Sequence, residues 1–497
     1  MVTGNTFAQT ITDALRYGTS NVTGTARYRA MGGAFGALGG DLSAVGDNPA
    51  SSAVFTRGTA SVTFANDNYD NTSSFFGNQR NISDSDLDVN QVGGVFIIRG
   101  AQQSRWSKIS LGFNYDRTAN YDDEFITQGV NTNSISSYFE EFAQGVPLDL
   151  LETVDGESIS ELYQFLGANE GFGAQQAFLG FQSFILEPDS NELSNTSYST
   201  NTRSALYDQE YILSSRGSSG KASFNLAAQY NDNLYVGVNL NSHFIDYDRT
   251  TVLFESNDSV AEENLTNITG IRFENNLSTI GTGFSIQLGA ISKVNDNLRL
   301  GFTYDSPTWL TISEETSQQI STTAVDDLGD FSTNINPQVV NVFEDYKIKT
   351  PGKLTGSAAY LFGKKGLISF DYTYQDFSNL RFRPESDSFF NNQNATIQDV
   401  LQVVHRYKLG GEIRSNEWSF RGGYRFETSP FEDEIAIGDL SGYSAGIGYN
   451  FGQIKIDVAY DFFTQDRGEQ LFDVGLTDRA TVDRDNSSII ATLSLSL

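Results

Sequence analysis

The chain has 497 residues, a formal net charge of -30, two histidines and no cysteine. The lack of cysteine excludes a disulfide framework and any cysteine-ligated zinc or iron–sulfur site. His243 and His405 alone offer little to a multi-histidine metal centre or a Ser-His-Asp hydrolase. The acidic balance argues against a nucleic-acid partner, because phosphate binding needs clusters of lysine and arginine.

Two features of the sequence bear on cellular location. No run approaches the roughly eighteen apolar residues that a transmembrane helix needs. The start, Met1-Val-Thr-Gly, has neither the basic region nor the apolar core of a signal peptide, so we expect the signal peptide to be absent from this chain. The protein is then either cytosolic or a processed form that carries an initiator methionine, and the strand pattern described below favours the second.

The N-terminal stretch 26–50 is unusually rich in small residues and ends at a turn signal. Glycines allow its backbone to pack very close to another element, and five of them lie at Gly32, Gly33, Gly36, Gly39 and Gly40. The stretch closes on Asn48-Pro49-Ala50, where the proline disfavours helix continuation. Asparagine can bond to its own backbone two residues on, so we interpret this tripeptide as a rigid turn, with a moving gate as the alternative.

From residue 58 onward the sequence alternates apolar and polar residues in runs of about ten, which is typical of barrel strands. In one such run Trp418, Phe420 and Tyr424 fall on one face, and Arg421 and Arg425 on the other. The pattern predicts about fourteen strands, at 58–66, 89–99, 108–117, part of 207–230, 233–246, 281–294, 297–312, 345–362, 366–378, 403–414, 417–428, 440–450, 453–465 and 487–497.

The connections between these strands are predicted to alternate strictly between short and long. Short turns such as Asn231-Asp232 and Gly452-Gln453 alternate with long polar stretches at 66–88, 118–205, 247–280, 313–343, 379–401, 428–439 and 466–486. This asymmetry is typical of outer-membrane barrels, whose periplasmic turns are short and whose external loops are long. The final strand can pair with the first and leave no free edge.

The sequence therefore predicts an all-β fold: an antiparallel transmembrane β-barrel of about fourteen strands with an N-terminal hatch inside its lumen. Residues 1–57 form the hatch, and residues 58–497 form the barrel with its long external loops. A soluble propeller or sandwich is the alternative, but such folds have no reason to alternate short and long connections. We expect the protein in the cell outer membrane.

One external loop, 131–186, is predicted to be helical. Its apolar residues recur at helical spacing in two places, around Tyr138 and around Tyr163. These read as two short amphipathic helices, continued by the apolar run 177–186. They form either a lid or an apolar docking groove, or they simply pack on each other and on the barrel rim.

The N-terminal segment Arg29–Asp41 with Asn48-Pro-Ala50 resembles the FadL/OmpP1/TodX family. Further matches are Thr350–Tyr360 with Phe370–Asp376, Tyr407–Ile413 and Trp418–Pro430. The resemblance covers both ends and most strands, and its style is similar to members from the Bacteroidetes group. It implies an outer-membrane transporter for long-chain fatty acids or other hydrophobic molecules, with a hatch that plugs the barrel.

Two features depart from the family pattern. Family transporters carry their helical capture groove chiefly after the fifth strand, whereas here that loop (247–280) is short and the helical insertion follows the third strand. The family also has an inward kink in the third strand that opens a lateral exit toward the membrane. Gly112-Phe-Asn114 lies in the corresponding strand, but a single glycine is a weak signal for such a kink.

Strand parity places a set of charged residues in the lumen of the C-terminal half. We interpret them as an ion-pair network that simply fills a plugged lumen, with a charged ring that holds the hatch or a ligand carboxylate in place as the alternative. Arg27, Arg29, Asp41 and Asp47 of the hatch are the expected partners. The network residues are Arg406, Lys408, Glu412, Arg414, Arg421, Arg425, Glu427, Lys455, Asp457 and Asp461.

No residue pattern resembles an activated nucleophile with its base, so we expect no enzyme and no cofactor. The acidic runs Asp84–Asp88 and Asp483–Asp485 are interpreted as solvated acidic loops, with loose Ca²⁺ binding as the alternative. His405 is interpreted as a residue of the membrane interface.

Two functions follow. In the first, the barrel passes small hydrophobic molecules or lipids passively across the outer membrane. In the second, it is a permanently plugged subunit of a larger machine, for example in protein secretion, as family members are in the type IX secretion system. Its partners are then other outer-membrane proteins or surface lipoproteins. The hatch disfavours an open diffusion porin.

Overall fold

The computed structural model describes residues 9–101 and 104–497. The strands of the first half are β1 (Thr59–Phe75), β2 (Asn78–Arg99), β3 (Trp106–Asn120), β4 (Asp123–Asn131), β5 (Leu186–Pro188), β6 (Tyr198–Thr200), β7 (Tyr207–Tyr230), β8 (Leu234–Ser256) and β9 (Asn267–Lys293). Those of the second half are β10 (Leu298–Asp305), β11 (Trp309–Asp326), β12 (Gly329–Ile335), β13 (Asn341–Val342), β14 (Tyr346–Lys349), β15 (Lys353–Leu361), β16 (Gly366–Asp376), β17 (Arg381–Arg383), β18 (Val403–Ser415), β19 (Trp418–Glu427), β20 (Leu440–Asn450), β21 (Ile454–Gln470) and β22 (Arg479–Ser496).

Helices lie at the N-terminus and in two external connections. They are α1 (Ile11–Gly18), α2 (Ala26–Arg29), α3 (Ala44–Asp47), α4 (Ser136–Ala143), α5 (Ile159–Asn169), α6 (Phe172–Gln182) and α7 (Ser388–Val400). Short 3₁₀ helices cover Pro49–Val54, Leu148–Leu150 and Phe377–Asn379. Among the helices of the described residues, none is long and apolar enough to span a membrane.

The strands close into one antiparallel barrel of fourteen wall positions, as the sequence predicts. Four positions are each built from two consecutive strands: β3 with β4, β10 with β11, β14 with β15, and β16 with β17. Closure is made by β22, which pairs with β1 from Thr59↔Ser496 to Ser74↔Thr481. The last strand therefore leaves no free edge, as predicted.

The two faces of the wall have the predicted polarity. On β19 the outward side chains of Phe420 and Tyr424 are each 49% exposed, whereas Arg421 and Arg425 on the inward face are each 6% exposed. An apolar outer face with a polar lumen is the arrangement that a lipid environment requires. His405 lies on the outer face, where its Nδ1 is 2.8 Å from the Tyr372 hydroxyl, beside Tyr374 and Tyr407.

Several predicted external loops are wrong, because the strands run further than the apolar pattern does. The stretch 66–88 is a continuous β-hairpin: β1 and β2 are joined by Phe76 and Gly77 alone, both with positive φ. The first external connection is therefore short, and the alternation of lengths is not strict. The stretches 247–280, 313–343 and 466–486 are also largely strand, and 379–401 contains α7. The outward residues of these upper segments are mostly polar, and the inward face mixes apolar residues such as Leu253, Phe273 and Ile320 with polar ones, which weakens the period-2 signal of a barrel strand.

Candidate functional site

The N-terminal segment, described from residue 9, lies inside the barrel and bonds to strands on all sides. Its backbone carbonyls accept hydrogen bonds from inward-facing amides, for example Val45 from Asn239 at 2.8 Å and Pro49 from Asn225 at 2.9 Å. On the opposite wall the Ala26 N–H donates to Thr492 Oγ1 at 2.7 Å. Since these partners lie on β7, β8 and β22, the segment spans the lumen between well-separated parts of the wall.

Wall glycines allow the plug to approach the barrel backbone. Gly237 and Gly289 are cross-strand partners on β8 and β9, and a Cβ at Gly237 would lie 2.5 Å from the carbonyl carbon of Pro49. Gly410 and Gly423 are partners on β18 and β19, and a Cβ at Gly410 would lie 2.5 Å from the Met31 carbonyl oxygen. Each glycine pair is therefore a groove that receives one turn of the plug. The alternation of residues along each strand indicates that these glycines face inward, but the sequence analysis did not predict that they contact the plug.

Glycine is favoured at the five predicted hatch positions for two different reasons, which are backbone conformation and close contact with the wall. Gly32 adopts a φ of 60°, which favours glycine, and a Cβ there would lie 3.0 Å from the backbone oxygen of Tyr424. Gly36 has no positive φ but contacts the wall, where its N–H donates to Asp371 at 3.0 Å. The remaining three, which all have positive φ, are Gly33, Gly39 and Gly40.

Asn48-Pro49-Ala50 forms a fully buried turn that begins a 3₁₀ helix. The Asn48 side chain accepts from Ala50 N at 3.0 Å and donates to the carbonyls of Gly36 at 2.7 Å and Ala290 at 3.2 Å. One amide thus links the turn to the hatch and to β9. This geometry is that of a held turn, and whether it ever moves stays a prediction.

We expect Asn48→Ala to destabilise the folded protein by about 1–3 kcal/mol, because a carbonyl that loses its donor stays buried and unsatisfied. Thermal unfolding in detergent, followed by the gel-mobility shift of the folded barrel, measures this. The exposed variant Asn295→Ala, in a tight turn outside the lumen, is the control. Equal melting temperatures for both variants would contradict the assigned role of the amide.

A first group of lumen charges centres on Arg421 and Glu412. Arg421 contacts Glu412 at 2.6 Å and Asp457 at 2.7 Å, and all three side chains are nearly inaccessible. Arg27 of the hatch reaches the same Glu412 at 3.1 Å, and Lys455 reaches Asp457 at 2.9 Å. Wall and plug therefore share one buried carboxylate.

A second group centres on Asp461. Its carboxylate binds Arg425 of the wall at 2.7 Å and Arg29 of the hatch at 2.9 Å. Arg29 also lies 3.4 Å from Asp67 on β1. Two hatch arginines are thus each anchored by a wall carboxylate that a wall arginine also binds.

The other charged residues predicted for the lumen and the hatch lie outside these two groups. Lys408 lies 3.5 Å from Asp47 of the hatch, whereas Arg406 pairs with Glu427 at 2.7 Å, within the wall. Asp41 was expected to pair with a lumen cation, but its carboxylate accepts from Thr25 Oγ1 at 2.7 Å, inside the hatch. A hydrogen bond within the hatch therefore satisfies the Asp41 carboxylate, in place of an ion pair with the wall.

Above the plug, α1 forms the floor of a cavity of about 430 Å³ that sequence reasoning missed. Part of its wall is apolar: Leu15, Tyr121, Phe172, Tyr211, Leu213, Tyr247, Leu277, Phe431, Ala436, Ile437, Leu471 and Phe472. Its volume lies within the range of about 300–1,000 Å³ that is typical of pockets for small organic ligands.

One side of this cavity, the arginine cluster, is formed by Arg16, Arg249, Arg467 and Arg484. The wall members come from segments that we had interpreted as loops, which is why they were missed. Arg467 and Arg484 share Asp123, at 2.5 and 3.7 Å. The four arginine side chains are each 19–22% exposed, so the cluster presents positive charge to the cavity.

The hatch contributes one carboxylate to the cavity floor. Burial would raise the pKa of Asp13, but Arg16, Arg249 and the hydrogen bond from Thr10 together hold it below its ordinary value. Asp13 also completes a capping box with Thr10 at the start of α1. The carboxylate therefore stays charged and orients Arg16.

The cavity reaches a break in the third wall position. The β2–β3 ladder ends at Gln91↔Asp116, and β4 resumes at Asp123 paired with β7. The inward side chain of Asn71 on β1 donates to the Glu124 carbonyl at 2.7 Å, so β4 lies on the inner side of the β1–β2 hairpin. The chain turns inward at Tyr121 and Asp122, not at Gly112-Phe-Asn114, where we had looked for a kink.

The helical insertion covers the cavity from outside. Helices α4 and α5 lie where they were predicted, and α6 begins at Phe172, earlier than the predicted apolar run. They pack into the barrel mouth: Tyr163 and Gln176 donate to Gln318 on β11 at 2.8 and 2.7 Å, and Phe139 contacts Phe273 on β9. The insertion therefore packs on the barrel interior and not as an external groove.

The family model described as outer membrane protein transport protein (OMPP1/FadL/TodX) matches residues 195–496. The chain belongs to this family. Members of the OMPP1/FadL/TodX family are outer-membrane transport proteins, so the protein is a transporter of hydrophobic compounds and not an enzyme. No sequence among curated proteins is significantly similar to the chain.

Solved structures of two family members share the fold. A FadL homologue from Pseudomonas aeruginosa is 10% identical, with a TM-score of 0.55 over 96% of this chain and 99% of that one. The P. putida toluene transporter TodX is 12% identical, with a TM-score of 0.51 over 97% and 99%. The similarity to Bacteroidetes members stays a prediction.

Proposed function

We propose that the barrel takes a long-chain fatty acid, or a hydrophobic molecule with a similar anionic head, into the cavity above the plug. The observation that carries this proposal is the combination of an apolar wall with an arginine cluster in one space. An apolar pocket binds a chain by burying its surface, and the guanidinium groups of the arginine cluster supply charge-assisted hydrogen bonds for a carboxylate.

Release is proposed to occur sideways, through the break between β2 and β4. Four cavity-lining residues, Ala119, Asn120, Tyr121 and Asp123, flank the inward turn of the chain. In the part of the chain that the structure describes, no ladder of backbone hydrogen bonds joins the segment of β2 before Gln91 to β3 or β4. Separating these segments therefore breaks side-chain contacts only, which is the least costly way to open a barrel wall.

The direct route downward is blocked by the plug and its two groups of buried ion pairs. In this proposal the hatch is a support for the cavity floor and not a door. The cavity and the family match favour transport over a permanently plugged subunit of a larger machine.

We expect Ala436→Trp to weaken binding of a fluorescent fatty acid by tenfold or more, because the indole fills the cavity and overpacks its wall. Ala436 lines the cavity, whereas the neighbouring Ile435 is 56% exposed. Ile435→Trp is therefore the matched control and should bind like the parent protein. Fluorescence titration of purified protein in detergent measures both, and equal affinities would contradict this placement of the ligand.

A further inference from the structure

A group of three carboxylates lies at the point where β2 and β3 part. Asp86 and Asp88 are on β2, Asp122 is in the inward turn, and one ligand oxygen from each lies within 4.8 Å of the others. Arg117 contacts Asp88 and lies 3.8 Å from Asp122. Three acids around one guanidinium leave excess negative charge in this gap.

A second observation concerns the side chain of Asn90, which lies two residues after Asp88 on β2. It is completely buried, and neither its amide oxygen nor its amide nitrogen has a hydrogen-bond partner among the described residues. A buried amide without partners is costly, and it calls for an unseen ligand or water. Asn90 is the bulged residue of β2, because Val89 and Gln91 pair with consecutive residues of β1.

The exposure of the neighbouring residues shows to which face of β2 the Asn90 side chain points. Leu87, Val89 and Val92 are the outward residues of this stretch, with exposures of 67%, 44% and 44%. Asn90 therefore leaves β2 on the inward face, as Asp86 and Asp88 do at alternate positions before it. The amide is the next polar group along the face that carries the two carboxylates.

We infer that Asp86, Asp88, Asp122 and Asn90 form a binding site for a hard divalent cation, with Ca²⁺ as its occupant. Ca²⁺ takes six to eight oxygens in flexible geometry, from carboxylates, amide carbonyls and water. Mg²⁺ demands stricter octahedral geometry, so it binds this partly open set less well. Because its ligands come from both sides of the gap, the ion ties β2 to the turn between β3 and β4.

The ion has a consequence for the proposed lateral route, and this consequence rests on the proposed function. With the site filled, two wall segments that share no backbone ladder are held together by coordination bonds. Loss of the ion restores repulsion among the carboxylates and loosens the gap. The site thereby makes opening of the wall dependent on the external concentration of divalent cations.

Calorimetric titration of the full chain, purified in detergent and stripped with EDTA, tests the site with CaCl₂ alone. We expect one Ca²⁺ per chain with a Kd of about 10⁻⁴–10⁻³ M, the range of extracellular sites. Asp86→Asn with Asp122→Asn should weaken binding by about tenfold or more, and it preserves the Asp88–Arg117 contact. Asn90→Leu should weaken it by a smaller factor.

Glu262→Gln with Glu263→Gln removes the same charge from an exposed loop and should bind as the parent does. The gel-mobility shift of folded barrels shows that each variant is folded before titration. An absence of Ca²⁺ binding by the parent, or unchanged binding by the Asp86/Asp122 variant, would overturn the site. No hydrophobic ligand is present, so the outcome is independent of the proposed transport.

Discussion

The variant Arg421→Glu is expected to raise the ion conductance of the barrel in planar bilayers severalfold and to lower its stability. Arg421 is buried between Glu412 and Asp457, at 2.6 and 2.7 Å. Breaking a buried ion pair costs about 3–5 kcal/mol, because the partner charge stays buried and uncompensated. A glutamate there adds a third carboxylate and competes for Arg27, the hatch residue that Glu412 holds at 3.1 Å.

Two further variants separate the effect on the plug from a general loss of folding. Adding Glu412→Arg to Arg421→Glu exchanges the two charges, and we expect it to restore part of the low conductance. Arg383→Glu, at a side chain that is 45% exposed, should leave conductance unchanged. A folded Arg421→Glu barrel with the conductance of the parent would show that this network does not hold the plug.

Gly423→Val is expected to displace the plug from the wall and open the lumen to ions. The added Cβ would overlap the backbone nitrogen of Gly32 and would lie 2.8 Å from Ser444 Oγ. The obstacle at Gly32 is backbone, so a change of rotamer cannot relieve it, and either the strand or the plug must shift. Since the strand is held by ladders to β18 and β20, the plug is the part that moves.

The neighbouring glycine is a matched control for this substitution. Gly422 is exposed on the outer face, and a Cβ there would meet nothing closer than the Ser444 carbonyl oxygen at 3.8 Å. Gly422→Val should therefore keep the conductance and melting temperature of the parent. Planar-bilayer recording of both variants measures the difference, and equal low conductance would contradict the close contact between plug and wall.

The wall of the barrel could be predicted from the sequence where it touches lipid. On β19 and β21 the requirement for an apolar outer face imposes period 2, and the side chains of Arg421, Arg425 and Asp457, which parity assigns to the inward face, are buried. Above the lipid this requirement ends. On the strands that carry Arg249, Arg467 and Arg484 the outward residues there are mostly polar, and the inward residues mix apolar with charged side chains. The pattern therefore predicts loops, and the arginine cluster has no clear signal in the sequence.

The lumen contents were predicted only in part, for related physical reasons. The glycine-rich stretch gave a clear signal of close packing, and Gly32 indeed meets the backbone of β19. The sequence did not indicate helix α1, because its eight residues are too few to show a clear helical period. Its apolar residues Leu15 and Tyr17 pack against residues of the wall. The inward turn at Tyr121 and Asp122 has no glycine or proline, so no local signal marked it.

A hydrophobic ligand is proposed to leave the cavity through the gap between β2 and the turn that joins β3 to β4. The chain has no cysteine, so the pair Asp86→Cys with Asp122→Cys places the only two thiols across this gap. Uptake of a fluorescent long-chain fatty acid by cells that produce this variant is measured before and after oxidation. The pair Ser74→Cys with Gln79→Cys, on cross-strand partners within the β1–β2 hairpin, is the control.

We expect cross-linking of the gap to abolish uptake and reduction to restore it, whereas cross-linking of the hairpin leaves uptake unchanged. Full cross-linking of the gap with undiminished uptake would contradict lateral release.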